Sequence, residues 1–246
     1  MSTQTLSQRR YSRTPAMPTH LRRSIALIAG LLGLAAIIGG GKLLVAGIAY
    51  YQAHAFIEHW EKQPAAPSEK AWHVAEDAIE RAIAAYPGAN GAYLETQGYI
   101  QQWRAFGADL NDPSAKQYRQ TAVQKLRESV QARRTWPEAW AALAYAKLTV
   151  LEFDDEFTQA LQQAQHFGPW RIAVNRRVAE VGLIAYAVLN DEQRALVDES
   201  IQRTAKYSPK ERKQLFELAA QSNSLSPLCT ILVDAPEAAC APLTPQ

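Results

Sequence analysis

The chain is poor in the residues that most small catalytic or metal-holding domains rely on. It has two cysteines and two methionines in 246 residues. Two cysteines exclude a disulfide-dense scaffold and a four-thiolate zinc site. The five histidines are scattered, and His54 and His59, five residues apart, diverge on a helix, so no HExxH-type metal pair exists. No GxSxG, P-loop or GxGxxG is present, and Gly39 to Gly41 lie inside an apolar run instead of after a strand. Alternating strand patterns are almost absent. These absences predict an all-α chain, not an enzyme, with no cofactor and no metal.

Acidic residues are also missing from one end. Before Tyr51 there are six basic residues (Arg9, Arg10, Arg13, Arg22, Arg23 and Lys42) and no Asp or Glu, which leaves twenty basic against 24 acidic residues and a net of −4 for the remainder. A mildly acidic body offers no counter-surface for phosphates, so a nucleic-acid partner is not expected.

What the N-terminal part does have is hydrophobic length. Ile25 to Gly41 is a run of 17 residues without a polar side chain, and the apolar character resumes after Lys42 as far as Tyr51. A helix needs about 20 such residues to cross a hydrocarbon layer. The span from about Ile25 to Ala46 meets this if Lys42 extends its ammonium to the interface, with Tyr50 and Tyr51 at headgroup level. A cleaved signal peptide is the competing reading, with Ala53-His54-Ala55 as a small-x-small site. The run exceeds a signal h-region of about 7–15 residues, however, and an uncleaved anchor is expected. Five arginines before the span place the N-terminus in the cytoplasm and the body outside it, which in a bacterium means an inner-membrane protein with a periplasmic domain. The expected organisation is a basic leader over 1–23, a membrane helix over 24–50, a helical body over 51–228 and a Pro-rich tail over 229–246. Cys229 and Cys240 lie in or beside that tail; an oxidising compartment lets them pair, and otherwise they remain two thiols.

The body reads as successive helical hairpins. Ser68 and Ser208 are N-cap candidates, the latter followed by Pro209 and Glu211. Asn111 to Ser114 reads as a turn before a helix over 116–134, and Gly168-Pro169 as a helix break. Small and bulky apolar residues recur at tetratricopeptide spacing: Ala75, Ile79, Ala82 and Pro87; Leu94 and Gly98; Ala122, Leu126 and Ser129; Trp140, Leu143 and Ala144. Lys147 stands where that repeat has an aromatic. The expected fold is therefore a transmembrane helix followed by a tetratricopeptide-like α-α superhelix.

Residues that resemble catalytic groups have structural accounts. Asp154, Asp155 and Glu156 suit the positive end of a helix running to His166. Glu76 and Asp77 are consecutive and point in different directions on a helix. A partner-binding face is the better expectation. With Leu94 and Trp140 taken as equivalent, Tyr99, Gln102, Trp103, Glu138, Tyr145 and Thr149 fall on the inner face of the hairpins, and so does Leu148. Aromatic and hydrogen-bonding side chains there suit a peptide, and stacked rings suit a sugar.

Three elements in order, Thr135-Trp136-Pro137 with Trp140 and Leu143-Ala144, then Asp154 to Phe157, then Gly168-Pro169-Trp170, carry a family resemblance. With Pro227-Leu228-Cys229 it extends from Tyr51 to Cys229. The chain resembles the VpsP-type exopolysaccharide-biosynthesis proteins, anchored proteins with tetratricopeptide-like helices. The resemblance implies a scaffold or assembly role, without catalytic residues, beside polysaccharide-synthesis or export proteins and possible contact with the polysaccharide itself. The alternative is an interaction module of another envelope machine, such as a pilus or secretion system. A hydrolase acting on the polymer needs paired carboxylates in a cleft.

Overall fold

The structure is a computed structural model, which describes residues 18–63, 65–109, 112–233 and 240. Arg9, Arg10 and Arg13 of the leader, Asn111, and the tail prolines Pro236 and Pro242 lie outside the described residues. Among those described, the chain is all-helical, without strands. The helices are α1 (Thr19–Lys62), α2 (Glu69–Ala85), α3 (Gly91–Arg104), α4 (Pro113–Ala132), α5 (Pro137–Thr149), α6 (Asp155–Phe167), α7 (Ile172–Ala185), α8 (Asp191–Tyr207), α9 (Pro209–Gln221) and α10 (Leu225–Ile231).

Two units divide the chain, residues 1–44 and 45–246. In the first, α1 carries an apolar window of mean hydropathy 2.1, none of it buried by protein. Leu27, Leu31 and Ile37 are 70%, 68% and 74% exposed. The helix is thus long and apolar enough to cross a membrane. It continues through Gly39–Gly41 without a break.

The second unit begins inside α1, earlier than the expected start of the body at Tyr51. Ala46, Ala49, Ala53, Ile57 and Trp60 are buried at helical spacing, so one stripe faces a protein core. That core includes Trp72, Ala75, Ile79 and Ala82 of α2 and Tyr93 and Ile100 of α3. The Trp72 indole N–H donates to the Ile100 carbonyl at 2.9 Å, which satisfies the one polar atom of a buried ring.

Beyond α2 the helices pack in pairs, α3 with α4, α5 with α6 and α7 with α8, and successive pairs touch through α5 on α7, α6 on α8 and α7 on α9. Small residues set the distance within pairs. A Cβ added to Gly98 would lie 2.7 Å from Leu126 Cγ, and one at Gly182 would lie 2.5 Å from Val197 Cβ. Only glycine admits these approaches.

Local chemistry fixes most helix ends. Ser68 accepts from Ala71 N, and Ser208 from Glu211 N with Pro209 next to it. α6 ends at Gly168 as expected. The expected helix over 116–134 instead starts at Pro113, because Asp112 accepts from Ser114 N and Pro113 takes the first helical position. Asp154 likewise caps α6 by accepting from Phe157 N.

Lys147, at a position where a tetratricopeptide pattern leads one to expect an aromatic, is a buried cation. Its side chain is 1% exposed, and its ammonium donates to Glu152 at 3.0 Å, Asp154 at 2.9 Å and Glu156 at 2.8 Å. Arg127 holds Glu156 from the other side through two hydrogen bonds of 2.6 and 2.7 Å. Asp154 and Glu156, two of the three acids read from sequence as helix-end residues, are therefore also counter-ions, and this ties α4, α5 and α6 together. At the C-terminal end, Cys229 of α10 is bonded to Cys240.

Candidate functional site

One hollow of about 410 Å³, lined chiefly by alternate helices together with Arg119 of α4, has a volume within the range of about 300–1,000 Å³ common for ligand sites. Glu61 comes from α1, Tyr99, Gln102 and Trp103 from α3, Tyr145 and Thr149 from α5, and Arg177 and Glu180 from α7. The turn after α3 closes one side with Phe106, Gly107 and Ala108. That turn reverses sharply at Gly107, whose φ of 74° is in the left-handed region. Arg119 of α4 holds it in place, donating to the carbonyls of Asp109 at 3.0 Å and Ala108 at 2.6 Å.

Five of the six residues expected on an inner face, Tyr99, Gln102, Trp103, Tyr145 and Thr149, line this hollow. Glu138 does not. It sits at the first turn of α5, where its carboxylate takes a 2.6 Å hydrogen bond from Arg171. Leu148 is likewise turned away into the core, 6% exposed. Sequence reasoning missed Glu61, because α1 reads as an anchor, and missed Arg177 and Glu180, which follow the Gly168-Pro169 break. The pair Val178 and Gly182 repeats the four-residue spacing of Leu94 and Gly98, and that signal identifies α7 as the next lining helix.

The electrostatics of the hollow are largely settled internally. Arg177 lies over the Tyr145 ring at 4.6 Å and donates to Glu180 at 3.1 Å. Burial opposes its charge, but Glu180, then the Tyr99 and Tyr145 hydroxyls, outweigh that and raise its pKa. Tyr99 donates to Glu95 at 3.1 Å, and burial together with that carboxylate pushes its own pKa up. Burial and Glu180 also raise Tyr145. Trp103 stacks obliquely on Phe106 at 4.8 Å and on Trp60 at 6.0 Å. Several polar groups remain unused: Glu61 and the Tyr145 hydroxyl make no hydrogen bond among the described residues, and Gln102 Nε2 is buried without a partner.

The elements that carried the family resemblance lie away from the hollow, at joints between helices. Trp136 is sandwiched between Arg133 at 3.9 Å and Arg171 at 4.9 Å. A Cβ on Gly168 would meet Pro137 at 2.7 Å, so the first and third of those elements abut directly. Trp170 is 83% exposed, with Arg203 over its ring at 5.0 Å.

The fold and hollow define an all-helical body, continuous with one apolar helix, that presents an aromatic-lined concavity. No family model, curated protein or solved structure matches the chain.

Proposed function

We propose that the protein is a membrane-anchored, non-catalytic scaffold for the biosynthesis or export of a bacterial extracellular polysaccharide, working through protein contacts of a tetratricopeptide-like body. The observation that carries the binding role is the convergence of α1, α3, α5 and α7 on one hollow. Side chains from every second helix facing one concavity is the arrangement in which stacked hairpins present a binding surface. The polysaccharide assignment rests on the resemblance of the Trp136–Pro137, Asp154–Phe157 and Gly168–Trp170 elements.

The apolar part of α1 is the anchor, and the arginines ahead of it favour a cytoplasmic N-terminus and a periplasmic body. A disulfide between Cys229 and Cys240 is in keeping with an oxidising compartment. A scaffold is favoured over a hydrolase because Glu180 is engaged by Arg177, so the hollow offers no free carboxylate pair of the kind polymer hydrolysis uses.

The test is an in-frame deletion with the matrix polysaccharide quantified, combined with mass spectrometry of proteins co-purifying from solubilised membranes. Loss of matrix polymer and recovery of synthesis or export components is expected. Normal polymer with pilus or secretion components recovered would transfer the protein to another envelope machine.

A further inference from the structure

The polar groups left unused in the hollow narrow what it accepts. Its cations are already engaged, Arg177 by Glu180 and Arg119 by two backbone carbonyls. An incoming anion would have to compete with those partners, so the site is poorly built to read a carboxylate or phosphate. Glu61 accepts no hydrogen bond and acts on Arg177 only through its charge, and the buried Gln102 amide is a donor without a partner. A hydroxyl group both donates and accepts, so neighbouring hydroxyls on one ligand satisfy both. Completing a buried unpaired donor also removes a standing penalty.

The apolar walls point the same way. Trp103 and Phe106 lie beside these groups, and Phe106 is 42% exposed. Ring faces next to hydroxyl-reading groups fit a molecule with an apolar C–H face and a polar rim. A second hollow of about 320 Å³ shares Arg119 and Thr149 with the first and is also lined by Leu151 and Glu152. The two hollows are thus neighbours on the same part of the body. An extended peptide would call for a row of backbone-reading donors and acceptors, whereas the unused groups here, Glu61, Gln102 and the Tyr145 hydroxyl, come from three different helices.

We infer that this hollow binds a neutral sugar unit of an oligosaccharide chain, stacked on Trp103 and Phe106 with its hydroxyls on Glu61 and Gln102. The inference rests on the hollow being the protein's binding site and goes beyond the scaffold role, which requires only protein contacts.

The test uses the full chain in phosphatidylcholine nanodiscs, which avoids sugar-headed detergents, with tryptophan fluorescence as the readout. The probes are neutral gluco-, galacto- and manno-oligosaccharides, alginate and galacturonate oligomers as uronates, and a random peptide pool. Saturable quenching by at least one neutral series is expected, with uronates weaker. Trp103→Ala and Glu61→Gln should each weaken binding about tenfold, while Trp170→Ala, outside the hollow, leaves it unchanged. Circular dichroism confirms that each variant remains helical. Uronates binding as tightly as neutral chains, or binding that ignores Trp103 and Glu61, would overturn the inference. So would peptides binding where no neutral oligosaccharide does, although the hollow would then stand as a protein-contact site.

Discussion

Tyr99 and Glu95 sit one turn apart on α3, joined by a 3.1 Å hydrogen bond from the phenol to the carboxylate, so a wall of the hollow is coupled to a buried acid. Burial is the main force on Glu95 and pushes its pKa up to about 7, against the lowering by Tyr99 and Arg133. The folded chain therefore binds a proton that the unfolded chain releases above the ordinary value of 4.5. Stability should fall as pH rises from about 4.5 to about 7 and then level off, by about 1–3 kcal/mol. Glu95→Gln should flatten this slope in chemical unfolding measured across that window. An unaltered slope would assign it to other groups.

The Lys147 cluster predicts the opposite limb. Arg127, opposed by burial but joined by Lys147, holds Glu156 at about 2. Its contribution is complete above the ordinary carboxylate value and is lost as pH falls from about 4.5 toward 2. Lys147→Met keeps the volume but leaves three acids facing Arg127 alone. Because Glu152 and Asp154 are half-exposed, the cost should be about 2–3 kcal/mol, below that of a fully buried pair. Urea unfolding at neutral pH measures it, and a change under 0.5 kcal/mol would contradict the role given to this cluster.

Gly98→Ala tests the close approach of α3 and α4. Its new methyl would meet Leu126 Cγ at 2.7 Å, and Leu126 is fully buried. Thermal unfolding should show destabilisation of about 1–3 kcal/mol despite alanine's higher helix propensity. A stabilised variant would mean that the two helices part freely.

The bond between Cys229 and Cys240 should be present in protein taken from the cell. Alkylation of denatured, unreduced protein should leave both thiols unlabelled, and reduction should expose two. Replacing both by serine should cost about 2–3 kcal/mol for so short a loop, concentrated at α10. Labelling without reductant would argue against an oxidising location.

Much of this was legible in the sequence because it is local. Ser68, Ser208 and Gly168 act at their own helix ends, and the apolar run announces itself by length. The inner face was legible because Tyr99, Trp103 and Tyr145 share one register on equivalent helices. Non-local pairings were not legible. Lys147 stands among apolar residues, and nothing nearby in its own helix shows that three acids beyond Val150 will neutralise it. Glu138 shares the register of the inner face, but Arg171, 33 residues away, draws it aside. Glu61 was hidden because α1 combines two kinds of helix, an apolar one before Val45 and one that packs into the body after it.

The central claim is that the hollow between alternate helices is where the protein works. Its most direct test is complementation of a gene deletion with the full chain carrying Trp103→Ala and Tyr145→Ala, after checks that the variant reaches the membrane at normal level and remains helical. The account predicts that wild type restores matrix polysaccharide and the double variant does not. Full restoration by the double variant would contradict it.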